Sequence, residues 1–233
     1  MRSLARRCRL FACLIFATIG FFGTVSGTTV RPAFAQDGVV AGFRESLAPY
    51  GQWSQHPRWG EVWIPTEVRR DWRPYRYGHW GYTDEWGWYW ISNEEDWGWV
   101  TYHYGRWLFD RDMGWIWIPG TEWGPAWVSW RRGRDHVGWA PLPPDDVFDE
   151  VSEDPEAWVF VRVRDFVSPR LDDVEIVRGD ETRIFIRETT VENRTLVLGR
   201  ERIAVNPGIP PSFVASAVGR PLHSIEVLFG VQL

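Results

Sequence analysis

Between Trp86 and Ile91 the chain reads Trp-Gly-Trp-Tyr-Trp-Ile, and from Gly114 to Ile118 it reads Gly-Trp-Ile-Trp-Ile. A period of two with aromatic and β-branched residues is the language of a β-strand. Neither stretch has a polar face. Such a strand is either covered on both sides or offers an aromatic face to a partner. Turn-formers stand between the apolar half-units, at Thr83-Asp84-Glu85 and Asp110-Arg111-Asp112-Met113-Gly114, so each pair of half-units predicts a β-hairpin.

The hairpins repeat. Tyr50-Gly51-Gln52-Trp53, Tyr77-Gly78-His79-Trp80 and Tyr104-Gly105-Arg106-Trp107 are spaced by 27 residues each time. Seven residues after each Trp stands a glycine (Gly60, Gly87, Gly114), and ten after it a Trp-Ile pair (Trp63, Trp90 and Trp117, with Ile64, Ile91 and Ile118). A degenerate fourth copy runs through Trp127 and Trp130 to Gly138-Trp139. Regular self-similarity of this period marks a repeat architecture. The expected fold is mainly β: an antiparallel meander of Trp-rich hairpins from three 27-residue repeats plus a degenerate fourth, closed into a barrel or stacked. A smaller β-rich C-terminal segment with one short helix follows. The repeated glycines are expected to sit at bulges or under an aromatic ring. Most of the 17 Trp between Trp53 and Trp139 are expected in the core.

Beyond the repeats, residues 145–156 carry seven acids and no base and read as a linker. Trp158–Arg164 alternates as a strand. Val174–Val177 and Thr182–Ile186, flanking Gly179-Asp180, predict a hairpin, as do Leu196–Leu198 and Ile203–Val205 around Gly199. Ser212 is the expected cap of a helix over Phe213–Val218 that ends at Gly219, with Pro221 beyond and a last strand over Leu222–Leu228.

The start of the chain changes the picture of where the fold resides. Arg2, Arg6, Arg7 and Arg9 precede an apolar run from Leu10 to Val25, and Ala33-Phe34-Ala35 supplies a cleavage site, the order of a secretory signal peptide. The resulting division is a signal peptide at 1–35, a mature N-terminal lead at 36–47, the repeat domain at 48–144, the acidic linker at 145–156 and the C-terminal segment at 157–233. Cleavage removes five Arg, no acid and both cysteines (Cys8, Cys13), taking the net charge from −5 to −10. The mature chain then has no disulfide, no Cys metal site, no transmembrane span and a poor charge balance for nucleic acid. All 26 basic residues are Arg, which stacks on aromatic rings better than Lys does.

Candidate chemistry is sparse. No nucleophile elbow, zinc-protease, phosphate-loop or dinucleotide motif occurs. Ser129, His136 and Asp135 could form a triad only if an exposed Arg-rich loop folded back. The five His lack close metal spacing, and Gln52 and Arg106 stand at the repeat phase of His79, so a surface ring beside Tyr is expected and no metal or cofactor. Glu94-Glu95-Asp96 near many rings has the ingredients of a glycosidase cleft but no identified partner carboxylate.

The phrases Tyr102–Trp107 (YHYGRW), Gly114–Gly120, Trp123–Arg131 (WGPAWVSWR) and Val137–Pro144 (VGWAPLPP) resemble a family of exported, tryptophan-rich bacterial proteins known as a domain of unknown function. The resemblance covers about Tyr50 to Pro144, continues loosely to Pro221, and implies export to the periplasm or outer envelope. It carries no activity. The expected function is that of a non-enzymatic envelope protein whose repeat acts as a structural or protein-interaction module. The alternative is a glycan- or peptidoglycan-binding module using exposed repeat Trp and Tyr, and an envelope hydrolase ranks third. Expected partners are an envelope protein or a cell-wall glycan. The ligand-binding candidates are Tyr75, His79, Tyr102, His103, Arg106, Trp123, Trp127 and Trp130. The repeat scaffold is Tyr50, Gly51, Trp53, Trp63, Tyr77, Gly78, Trp80, Gly87, Trp90, Tyr104, Gly105, Trp107, Gly114 and Trp117.

Overall fold

The computed structural model describes residues 33–94, 96–144, 154–175, 181–198 and 203–227. Most of the leader, residues 145–153 of the acidic stretch, Glu95, Gly179-Asp180, Gly199 and Leu228 lie outside the described residues.

Each repeat is an antiparallel hairpin: β1 (Gly51–His56) with β2 (Gly60–Pro65), β3 (Gly78–Thr83) with β4 (Gly87–Ser92), and β5 (Arg106–Asp110) with β6 (Gly114–Ile118). The degenerate copy is β7 (Val128–Arg132) with β8 (His136–Pro141). The turns are closed by residues at one repeat phase. His56 Nδ1 accepts from the Arg58 and Trp59 amides, Thr83 Oγ1 from Trp86, and Asp110 Oδ1 from Asp112 and Met113. Four residues later Gly60, Gly87 and Gly114 take φ of 71°, 80° and 77°, the left-handed region that closes such turns without a Cβ clash.

The other repeated glycine has a different cause. A Cβ on Gly51, Gly78 or Gly105 would stand 2.5, 2.6 or 2.8 Å from a ring atom of Trp63, Trp90 or Trp117. In each unit the second tryptophan therefore lies across the Tyr-Gly backbone. The two tryptophans of each hairpin also pair directly across the strands: Trp53 with Trp63, Trp80 with Trp90, Trp107 with Trp117 and Trp130 with Trp139. The rings meet within the second and fourth hairpins, at 4.8 and 6.4 Å between centroids, whereas Trp53 packs on Trp117 and Trp63 on Trp107 at 6.3 and 6.2 Å. Ring contacts of this kind add roughly 0.5–1.5 kcal/mol beyond their buried area.

The hairpins do not associate in chain order. β2 pairs with β6, giving a four-stranded sheet β1-β2-β6-β5 in which Trp53, Trp63, Trp117 and Trp107 form one transverse row. The second hairpin is a separate two-stranded sheet packed on the fourth, with Trp80 4.6 Å from Trp130 and 5.7 Å from Trp139 between ring centroids. Odd hairpins thus share a sheet and even hairpins share a face, as antiparallel hairpin sheets without a closed barrel. Trp72, Trp97, Tyr75 and Tyr102 join the two halves into one aromatic core.

The lead is helical. Helix α1 (Ala33–Leu47) inserts Phe43 and Leu47 into this core, and its last carbonyl accepts the Trp63 indole N–H at 3.1 Å. A short helix α2 (Gly98–His103) precedes β5. In the second half, β9 (Val159–Arg162) extends the sheet beside β8, and β10 (Thr190–Val191) extends it beside β7. The hairpin expected at 174–186 is corrected: Thr182–Glu188 is helix α3. Ile184, Phe185 and Ile186 in a row fit either period, and the choice falls to packing, which half-buries Phe185 and Ile186 against Trp158 and Phe160 and leaves Ile184 exposed. β11 (Leu196–Leu198) and β12 (Ile203–Val205) form the second expected hairpin. Helix α4 (Pro211–Val218) begins with Pro211, not under a Ser212 cap, and ends at Gly219 with φ 75°. The last strand reduces to a single bridge between Ser224 and Tyr82. Among the described residues no helix is long and apolar enough to cross a membrane.

Candidate functional site

The segment linking the first two hairpins, residues 66–77, lies against the end of β4 and a turn at 170–173, and between them opens a cleft of about 440 Å³. That volume falls within the range of small-ligand sites, roughly 300–1,000 Å³. Its aromatic lining comes from Tyr50, Trp72, Tyr77 and Trp97. Its polar lining carries both charges: the carboxylates Glu67, Glu94, Asp172 and Asp173 face the guanidinium groups of Arg69 and Arg170, beside the Asn93 amide.

Glu94 sits at the base of this arrangement. Its Oε1 accepts the Trp72 indole N–H at 2.6 Å, and its Oε2 accepts the Ser92 hydroxyl and, at 3.0 Å, the Tyr102 hydroxyl. Burial pushes its carboxyl above the ordinary range, while the three donors pull it back. Glu94 thereby fixes one ring from the linker and one from α2. Asp172 and Asp173 approach Arg69 and Arg170 at 4.0 and 2.8 Å, and Arg69 stacks over Tyr77 at 4.9 Å.

Behind the cleft the same linker is anchored by a buried ionic knot. The side chain of Glu175 is fully shielded and holds both Arg73 and Arg76, the latter through Nε at 2.8 Å. Arg76 also reaches Asp71 at 3.0 Å, and Arg73 donates to the Glu156 carbonyl. Burial pulls the Arg73 guanidinium below its ordinary value. The knot ties residues 71–76 to the C-terminal half and so sets one wall of the cleft.

Five of the eight sequence-derived candidates meet in a different place, a buried hub. Tyr75, with φ 58°, donates its hydroxyl to the Tyr102 carbonyl at 2.9 Å and accepts the Trp127 amide at 3.0 Å. The Trp127 indole donates to the His103 carbonyl, and the Arg106 guanidinium lies 3.4 Å above the Trp127 ring centre. Tyr75, Tyr102, His103 and Trp127 are all buried, as is Trp130 in the stack with Trp80. None of these rings presents a free face, so they work as packing. The expectation of a surface histidine is corrected at His103: it stacks on Tyr89 at 4.3 Å, hydrogen-bonds the Gly124 carbonyl, and burial pulls it down to about 4. His79 is half-buried on β3, also pulled down by burial, beside Arg220 and His223. Trp123 is half-buried, edge-on to Trp86 at 5.0 Å.

The triad is not assembled. Ser129 pairs with Ala140, four positions along β8 from His136, a separation of about 13 Å at the strand rise. His136 instead contacts Asp135 at 2.8 Å and the edge of Phe185. The cleft residues other than Glu94 gave no signal in the sequence as a site. Arg69 and Trp72 lie between repeats, where the phase carries no information, and Arg170, Asp172 and Asp173 lie about 75 or more residues away from Glu94 along the chain.

Residues 44–146 match the model of a family of unknown function (DUF6600), a span that holds all four hairpins. Comparison with the curated proteins and with the solved structures finds no match.

Proposed function

We propose that this tryptophan-rich chain is a non-enzymatic, exported envelope protein whose hairpin repeats serve as a rigid structural or protein-interaction module. One observation carries the reading. The tryptophans of the repeats stand opposite one another in register and pack on one another within and between hairpins around a common core, so the repetition serves rigidity. Rigidity of this kind suits a cysteine-free mature chain that has no other staple. The basic start, apolar run and small-residue site before Gln36 support export. Among the described residues the rings most exposed to a protein partner are Trp99 and Phe109, which are 52% and 47% exposed.

Expression of the full chain with a C-terminal tag, followed by envelope fractionation, N-terminal sequencing and cross-linking, tests this reading. The expected outcome is a mature start at Gln36 in the envelope fraction and a cross-link to an envelope protein that weakens in Trp99→Ala. A full-length cytoplasmic product overturns it.

A second reading, glycan or peptidoglycan binding, is favoured by the cleft around Glu94 and not by the repeated rings. Hydrolysis is the weakest reading, since both oxygens of Glu94 are engaged by donors of the protein itself.

A further inference from the structure

The cleft beside Glu94 has a chemistry that selects among ligand classes. An anion entering it meets four carboxyl groups, and a free cation meets Arg69 and Arg170. Asp172 and Asp173 are each matched by an arginine, and the Glu94 oxygens are occupied by Trp72, Ser92 and Tyr102. The carboxyl groups outnumber the guanidinium groups, so the surplus is acidic and opposes an anion, while Arg69 and Arg170 at the same opening oppose a cation. An apolar ligand would strip water from these charges without replacing its hydrogen bonds. A neutral molecule dense in hydroxyls meets no such penalty, because each hydroxyl both donates and accepts.

Two further features fit that class. Among the described residues the side chains of Glu67 and Asn93 make no hydrogen bond, and both are exposed at the cleft, one an acceptor and the other a donor and acceptor. Tyr50 and Tyr77 are half-buried at the same opening, where a ring can meet the flat C–H face of a pyranose, while the buried Trp72 and Trp97 form its floor. The rings are held in place: Trp72 by Glu94, and Tyr77 by Arg69 and Arg76 at 4.9 and 5.3 Å. A site fixed before its ligand arrives loses little entropy on binding.

We infer that this cleft is a binding site for a short uncharged oligosaccharide, with Asn93 and Glu67 contacting its hydroxyls and the half-buried rings of Tyr50 and Tyr77 its apolar faces. The inference rests on the glycan-binding reading and is independent of the scaffold reading, whose tests are export and cross-linking.

Titration calorimetry on the mature chain tests it, with N,N′,N″-triacetylchitotriose (chitotriose below) as the uncharged amino-sugar probe and cellotriose as the neutral-glucan probe. The expected result is saturable binding of one or both, in the high micromolar to millimolar range. Glu67→Ala combined with Asn93→Ala, both exposed and outside the core, should weaken binding about five- to tenfold at unchanged melting temperature. Preference for chitotriose points to a cell-wall glycan as the source and preference for cellotriose to a neutral polysaccharide. Either supports the site. Absence of heat for both probes at about 10 mM overturns the inference, and so does binding that the double variant leaves unchanged. In either case the export and cross-linking results stand unaffected.

Discussion

The indole of Trp90 lies across the backbone of Gly78, so closely that a Cβ on the glycine would stand 2.6 Å from the ring and 2.4 Å from the Ile91 carbonyl oxygen. Gly51 with Trp63 and Gly105 with Trp117 repeat the relationship. The strongest sequence signal in the chain is therefore a packing contact copied three times.

Gly78→Ala should destabilise the protein by about 2–3 kcal/mol or more, because neither the carbonyl nor the buried indole can retreat cheaply. Gly60→Ala is the control, since nothing lies within 4 Å of its Cβ position and only its φ of 71° opposes a side chain. Its cost should be near 1 kcal/mol. Urea unfolding of the two variants checks the order, and equal costs would contradict the overlay.

Glu175→Gln should cost about 3–5 kcal/mol in the same assay. It removes the acid between Arg73 and Arg76 and leaves two buried guanidinium groups to repel each other. Because the knot holds residues 71–76, the fluorescence of the aromatic cluster should change as well.

His103 makes stability fall in acid. Its folded value, about 4, lies below the ordinary 6.5, so the unfolded chain takes up the proton first. Stability is complete above about pH 6.5 and declines as the pH drops toward 4, by about 3 kcal/mol in all. His103→Phe keeps a ring against Tyr89 and should remove this slope, at the cost of the hydrogen bond to Gly124. Melting temperatures measured between pH 4 and 7 give the answer.

Glu94 acts in the opposite sense. Burial raises its carboxyl above the ordinary 4.5, so between that value and its folded one the native state holds the extra proton. Stability from this group is greatest below about pH 4.5 and is lost as pH rises through the folded value. Glu94→Gln should flatten that decline with little loss of packing, since the amide can face the Ser92 and Tyr102 hydroxyls while its carbonyl keeps the Trp72 N–H. A decline that persists in the Gln variant would assign it to another group.

The hairpins were legible because everything that makes them is local. Trp80 and Trp90 need only the Thr83 turn and Gly87 between them, and all four lie within one repeat. Tyr75, Tyr102 and Trp127, expected as ligand-binding rings, are buried for a reason of the same kind: aromatic content says that a ring will be used and not which side of the surface it will occupy. Helix α3 is not legible locally because three consecutive apolar residues satisfy both periods.

By itself the sequence determined the strands, their turns, the facing tryptophan pairs and the glycines that receive them, since backbone φ and cross-strand contact act over a few residues. Only the tertiary structure decided that the first hairpin joins the third and the second packs on the fourth. It alone brought Glu175 to Arg73 and Asp172 to Arg69, closing the cleft around Glu94. Those partners are separated by about a hundred residues of chain. Their meeting depends on how whole buried faces fit together, which no pattern within a single repeat records.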